Sequence, residues 1–141
     1  MPPELPVLST AHLVASSQEA VRQGRLGLQR GAVEPLFVDE DGSVCAIGAA
    51  LPVSALQAIL WAGRQRWNWL ALVRAEAFTY DDLDSVEALA ALQLGYDACF
   101  RDNGLDPRAA ERFCASLLAL DPHAPPTFAS WPEVFGAEAV A

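Results

Sequence analysis

The chain contains no lysine, only two histidines (His12 and His123) and three cysteines, an odd number without C-x-x-C spacing. Each shortage closes a class of function. Cysteines that are neither paired nor set at ligand spacing predict no disulfide framework and no zinc knuckle. With one histidine near each end, a histidine-dependent acid–base pair has few places to form. No apolar run approaches the roughly 20 residues that a membrane-spanning helix needs. The opening residues, Met1-Pro2-Pro3-Glu4-Leu5-Pro6, carry neither a basic region nor an apolar signal core, so export is not expected and a cytoplasmic protein is. All nine basic residues are arginine. Codon usage in a GC-rich genome accounts for that most simply; avoidance of lysine modification is the special alternative.

Positive charge is also scarce. Nine arginines stand against eighteen acids, a formal net charge of −9. That balance opposes phosphate backbones and anionic membranes, so neither direct nucleic-acid binding nor a membrane partner is expected. Two readings remain. The acids keep the chain soluble, or they form a face that meets a basic partner protein, such as one that normally grips nucleic acid.

What is present is apolar material: 52% of the 141 residues are hydrophobic, enough to argue against disorder and to fill one core. The pattern predicts a single domain over residues 1–141, with 1–8 and 121–141 as extended or irregular ends. The fold class expected is mainly α, a bundle of about five helices with one short β-hairpin. Ser9 or Thr10 caps a helix to about Gln23, with Leu13, Val14, Ala20 and Val21 on its apolar side. Gly24 and Gly27 break that pattern, and 24–34 reads as a loop. Pro35–Val38 and Ser43–Ala46 are β-compatible runs joined by Asp39-Glu40-Asp41-Gly42, a hairpin signal that delivers Cys45 to the small residues Ala46, Gly48, Ala49 and Ala50 of a short helix. Pro52 ends that segment or begins the next, which continues through Leu56, Ile59 and Leu60. Arg64 to about Ala77 reads as a helix with Trp69, Leu70, Val73 and Ala77 inward. Ser85–Asn103 is the clearest helix, with Asp84 as cap, Glu87 completing a capping box and Gly104 as stop. Asp106-Pro107 opens a last helix carrying Ala110, Phe113, Cys114, Leu117 and Leu118 on one face. Beyond Asp121, Phe128, Trp131, Val134 and Phe135 are expected to fold back as an apolar strap.

Three features could carry chemistry. Cys45 sits at a predicted helix start, where the dipole favours a thiolate, so it is the candidate nucleophile. A cysteine nucleophile also needs a base, and Asp97 could orient a histidine without replacing one. The alternative is a packed cysteine between hairpin and helix. Asp81, Asp82, Asp84 and Glu87 form one acidic cluster and Asp39, Glu40 and Asp41 another. Neither has the spacing of a calcium loop, so helix capping, solvation or an electrostatic contact surface are the choices. Trp61, Trp67 and Trp69 alternate with Arg64 and Arg66. On a helix Trp67 and Trp69 point to different faces, so one of them is a candidate exposed anchor for a partner. Neither a metal nor a cofactor is expected.

The stretch Asp41-Gly42-Ser43-Val44-Cys45-Ala46-Ile47-Gly48-Ala49-Ala50-Leu51 resembles a group of small uncharacterised bacterial and phage proteins with a D-G-x-x-C-A-I-G-x-L segment. Leu92-Gln93-Leu94-Gly95-Tyr96-Asp97 is similar to the group's downstream L-Q-x-x-H-D segment. The resemblance implies a helix and hairpin before the cysteine and a phage or mobile-element association. The group's histidine position holds Tyr96 here, so a Cys–His pair that was catalytic elsewhere would leave this member inactive.

The leading expectation is therefore a small acidic protein-binding module, in its sharper version an inhibitor or modulator of a host nucleic-acid-handling or defence complex. Trp67, Trp69, Asp81, Asp82, Asp84 and Glu87 would be its interaction surface. A cysteine-dependent hydrolase or transferase centred on Cys45, active or degenerate, is the second reading. A structural homo-oligomer, for example a homodimer using Trp131, Phe135 and the Trp61–Trp69 region, is the third.

Overall fold

Ser9 begins the first helix as its sequence suggests. Its extended backbone lets Oγ accept the His12 N–H at 3.1 Å, and helix α1 runs over Thr10–Gln23. Gly24 ends it in the left-handed conformation (φ 66°), its N–H closing on the Ala20 and Val21 carbonyls. The computed structural model describes residues 5–101 and 104–125, and the expected strap at Phe128, Trp131, Val134 and Phe135 lies outside them. Within the described residues α1 packs against the helices over Leu83–Asp97 and Pro107–Leu118 and against the turn at 48–50. Its inner side carries three polar residues besides its apolar ones, and Thr10 Oγ1 lies 3.2 Å from Ser85 Oγ. Ser17 Oγ donates to the Val14 carbonyl, and Gln18 Nε2 donates to the Leu117 and Leu120 carbonyls at 2.8 and 2.6 Å. Gln18 thereby satisfies acceptors that the end of the last helix leaves open.

The hairpin around Asp39–Gly42 forms, in reduced shape. Val38 and Val44 make its one antiparallel bridge, Asp39 N–H donates to the Ser43 carbonyl, and Cys45 N–H to the Phe37 carbonyl. Asp39 Oδ1 accepts the N–H groups of Asp41 and Ser43, both at 2.9 Å, and Gly42 takes φ 82°. Residues 24–34 are more than the loop expected. Leu26 bridges Val44 on its other side in parallel, and Gly27–Gln29 is a turn of 3₁₀ helix. The small residues after Cys45 form only a 3₁₀ turn, Gly48–Ala50. Pro52 then caps α2 (Val53–Trp61), which buries Leu56 and Ile59.

Two helix expectations are corrected. Arg64–Ala77 is not one helix: α3 is confined to Trp69–Arg74, started by Asn68, whose Oδ1 accepts the Ala71 N–H at 2.8 Å. The residue it buries fully is Leu72, while Leu70 is exposed. Helix α4 spans Leu83–Asp97, not Ser85–Asn103, and its cap is Asp82, not Asp84. Asp82 Oδ1 takes the Ser85 N–H at 3.1 Å, which completes the start two residues earlier. At the other end Phe100–Arg101 (β3) pairs antiparallel with Gly104–Leu105 (β4), where Gly104 has φ 100°. Gly104, at positive φ at the start of β4, and its pairing with Arg101 outweigh the helical spacing of the preceding residues.

A parallel pair joins Val7–Leu8 (β1) to Thr79–Tyr80 (β2), so residues 7–8, within the end expected to be extended or irregular, form a short strand. Two residues are too short to register as alternation in a sequence. Helix α5 (Pro107–Leu118) follows its pattern, with Asp106 capping, Pro107 in the first turn and Ala110, Phe113 and Leu117 buried. Leu118 falls outside, exposed. The fold is mainly α with two small two-stranded sheets. No described helix is long and apolar enough to cross a membrane.

Candidate functional site

The two segments that carry the resemblance meet in space. Cys45, Ala46 and Ile47 from one, and Leu92, Gln93, Tyr96 and Asp97 from the other, line a pocket of about 310 Å³. Pro35, Leu36 and Phe37 of the hairpin close one side, and Arg66, Trp67 and Asn68 ahead of α3 close another. Helical spacing explains the α4 wall. Residues 92, 93, 96 and 97 fall on one side of the helix.

Cys45 forms part of the floor. It is only 8% exposed, and its Sγ accepts the Gly48 N–H at 3.2 Å. Gly48 has no room for a side chain, since a Cβ would stand 2.6 Å from the Phe37 carbonyl oxygen. Burial pushes the thiol up to about 12; the Gly48 and Ile47 N–H groups offset only part of this, and the Asp97 charge adds to the rise. The helix-start argument for a thiolate fails for a physical reason. The three-residue turn that follows has no helix dipole of consequence, and desolvation dominates. No histidine lines the pocket: His12 sets Nε2 2.9 Å from the Ala50 carbonyl, and His123 lies beyond α5.

Tyr96, at the position of the group's histidine, is a core residue. It is buried between Phe100 (centroids 5.6 Å) and Phe113 (6.1 Å, edge-on). Among the described residues its hydroxyl has no well-formed hydrogen bond, and burial, only partly offset by the Leu28 backbone, pushes its ionisation far above the usual range. The hydroxyl reaches toward Gly27, where a Cβ would come within 2.6 Å of it.

Asp97 stands at the rim, exposed along its outer edge. The wall behind it is dry enough that desolvation raises its carboxyl from 3.8 to about 6. Arg66 is the pocket's other charge, and it points away: its guanidinium pairs with Glu34 at 2.6 Å. Trp67 is 41% exposed, with the Arg64 guanidinium 4.9 Å from its ring centroid. Trp69 turns the other way, half-buried, edge-on to Tyr80 at 6.5 Å, its N–H held by Gln93 Oε1 at 2.7 Å. Of the two tryptophans, Trp67 is the exposed one.

The Asp81–Glu87 cluster divides by role. Asp81 and Asp82 accept hydrogen bonds from Ser85 at the start of α4. Asp84 is exposed and Glu87 half-buried. The ion pairs among the described residues engage Glu19, Glu34 and Asp106, so no acid from Asp81 to Asp97 has a basic partner. The outer side of α4 is apolar as well: Leu83 is 79% and Leu94 52% exposed, on one stripe with Glu87, Ala90 and Asp97. Asp39 serves its own turn. Sequence reasoning missed Arg66, Asn68 and Gln93 as pocket residues, and placed Asp97 only as a helper to a histidine. Their one available signal was the shared helical side of 92, 93, 96 and 97. Among the described residues, no three His, Cys, Asp or Glu side chains are grouped to hold a metal ion. Compared with protein-family models, curated proteins and solved structures, the chain matches none of them.

Proposed function

We propose that the chain is a non-catalytic protein-binding module whose contact surface is the outer side of α4 with Trp67 and Trp69 beside it, and whose partner presents a basic surface. The observation that carries this reading is the set of acids on and before α4, none in an ion pair, interleaved with exposed leucines and flanked by an exposed tryptophan. Exposed apolar side chains rimmed by one sign of charge suit a complementary partner. Asp84 and Glu87 supply charge, while Asp81 and Asp82 hold the helix start. The version suggested by the resemblance is an inhibitor or modulator of a host nucleic-acid-handling or defence complex.

The test is affinity capture from the native host at low and high salt, with wild-type protein beside Asp84→Arg and Glu87→Arg. A partner retained by the wild type and lost by the charge reversals is the expected result. No partner at any salt, or equal capture by the reversals, sinks the proposal. A thiol enzyme would need a reactive Cys45, and burial opposes that. Alkylation of Cys45 in the folded protein at neutral pH, with loss of a phenotype in Cys45→Ser, would revive it.

A further inference from the structure

The pocket between α4 and the hairpin has a charge imbalance that its own residues do not resolve. Arg66 is neutralised by Glu34, which leaves the Asp97 carboxylate with no ion pair and no hydrogen bond among the described residues. Its walls mix two characters. Leu36, Phe37, Ile47 and Leu92 offer an apolar channel, while Asn68 and Gln93 add polar groups near the rim. At about 310 Å³ the volume suits a single side chain or a small molecule. An anion would meet Asp97 unfavourably. A neutral apolar occupant would strip more water from the carboxylate and leave it unpaired. The occupant that satisfies both walls has an aliphatic stem and a positive end.

We propose that this pocket receives one cationic group at the end of an aliphatic chain, a guanidinium or an ammonium, with Asp97 as its counter-ion and Trp67, Asn68 and Gln93 around its mouth. The raised ionisation of Asp97 agrees, because a carboxylate already partly desolvated gains most from an incoming cation. The cation comes either from a basic side chain of a partner, in which case the inference rests on the binding reading above, or from a free amine.

The experiment is an NMR titration of the full chain with N-acetyl-arginine amide, its uncharged isostere N-acetyl-citrulline amide, and a ten-residue arginine-containing peptide. The Trp67 indole and the Asn68 and Gln93 side-chain amides report the pocket. A saturable shift with the arginine compound or the peptide is expected, at least tenfold weaker for citrulline and for Asp97→Asn. A second readout does not depend on that variant folding. Bound arginine should move the Asp97 carboxyl titration down from about 6, against a background set by Arg66, Cys45 and Tyr96 around the pocket and Cys99 within Coulombic reach. Equal binding of citrulline, full affinity in Asp97→Asn, an unmoved Asp97 titration, or no shift from any probe overturns the proposal. Peptide binding much tighter than the single amide assigns the source to a protein, and equal binding assigns it to a free amine. If Glu87→Arg abolishes capture of a partner but leaves arginine-amide binding intact, the pocket stands apart from the binding surface. Capture lost in Asp84→Arg and Glu87→Arg, with no arginine-amide binding to the wild type, retires the pocket and leaves the surface.

Discussion

Helices α4 and α5 bury similar inner faces and present opposite outer ones. Helix α5 turns Ala110, Phe113 and Leu117 inward and shows Arg108, Glu111 and Arg112 to water, as an amphipathic surface helix does. Helix α4 buries Ala88, Leu89, Leu92 and Tyr96 yet also shows Leu83, Ala90 and Leu94. A helix apolar on both sides is normally covered on both. On the proposed reading, the difference singles out α4, and not α5, as the element whose outer side a partner would cover.

The largest effects belong to the faces the two helices share. Leu92→Ala in α4 and Leu117→Ala in α5 each remove a fully buried side chain and should each cost about 2–5 kcal/mol in chemical denaturation. A loss below about 1 kcal/mol at either site would break the premise that the inner faces are equivalent.

Their polar supports differ next. Gln18 Nε2 holds the two carbonyls at the end of α5, and Gln18→Ala should lower stability by about 1–3 kcal/mol. In α4 the buried Tyr96 hydroxyl has no partner, so Tyr96→Phe should leave stability unchanged or raise it. If Tyr96→Phe instead destabilises as much as Gln18→Ala does, that hydroxyl is bonded in solution.

A third contrast is in pH. The Asp97 carboxyl is raised by burial to about 6 in the folded chain, from 3.8 when free. Between those values the folded state binds its proton more tightly than the unfolded state does. This contribution to stability therefore falls as pH rises from about 3.8 to 6, and above that the penalty is complete. Asp97→Asn should flatten this component and melt higher than wild type at pH 7, read as melting temperature against pH. Parallel curves for the two proteins would show that Asp97 is solvated after all.

How much of this was legible follows from the kinds of signal involved. α1 and α5 have a capping side chain next to an apolar period; α1 was readable to within a residue, and α5 was readable at its start. α4 was readable in its middle only. Its apolar residues recur on both sides, so the period did not say where the helix stops, and Gly104, read as a helix stop, is instead the strand residue that pairs with Arg101. α3 was over-extended because Trp69, Leu70, Val73 and Ala77 keep a helical spacing that gives no start, and Asn68 is the cap. The pocket was legible in halves. Cys45 and Asp97 were both picked out, each for a histidine that does not line the pocket, and Arg66 gave no local sign that it pairs with Glu34, thirty-two positions away.

The smallest stability effect tests the comparison most directly. Leu94 on α4 and Leu118 on α5 are both exposed, 52% and 44%, so replacing either by serine removes little buried area. Each should change stability by no more than about 0.5 kcal/mol. Their effects on binding should separate. Leu94 shares its stripe with Glu87 and Asp97, so Leu94→Ser should weaken partner capture, whereas Leu118→Ser should leave it as in the wild type. Because both variants stay folded, a loss of binding at Leu94 alone can be assigned to the surface itself. Equal loss at both positions would mean that the contact is generic apolar adhesion, and no loss at either would move the binding surface off α4.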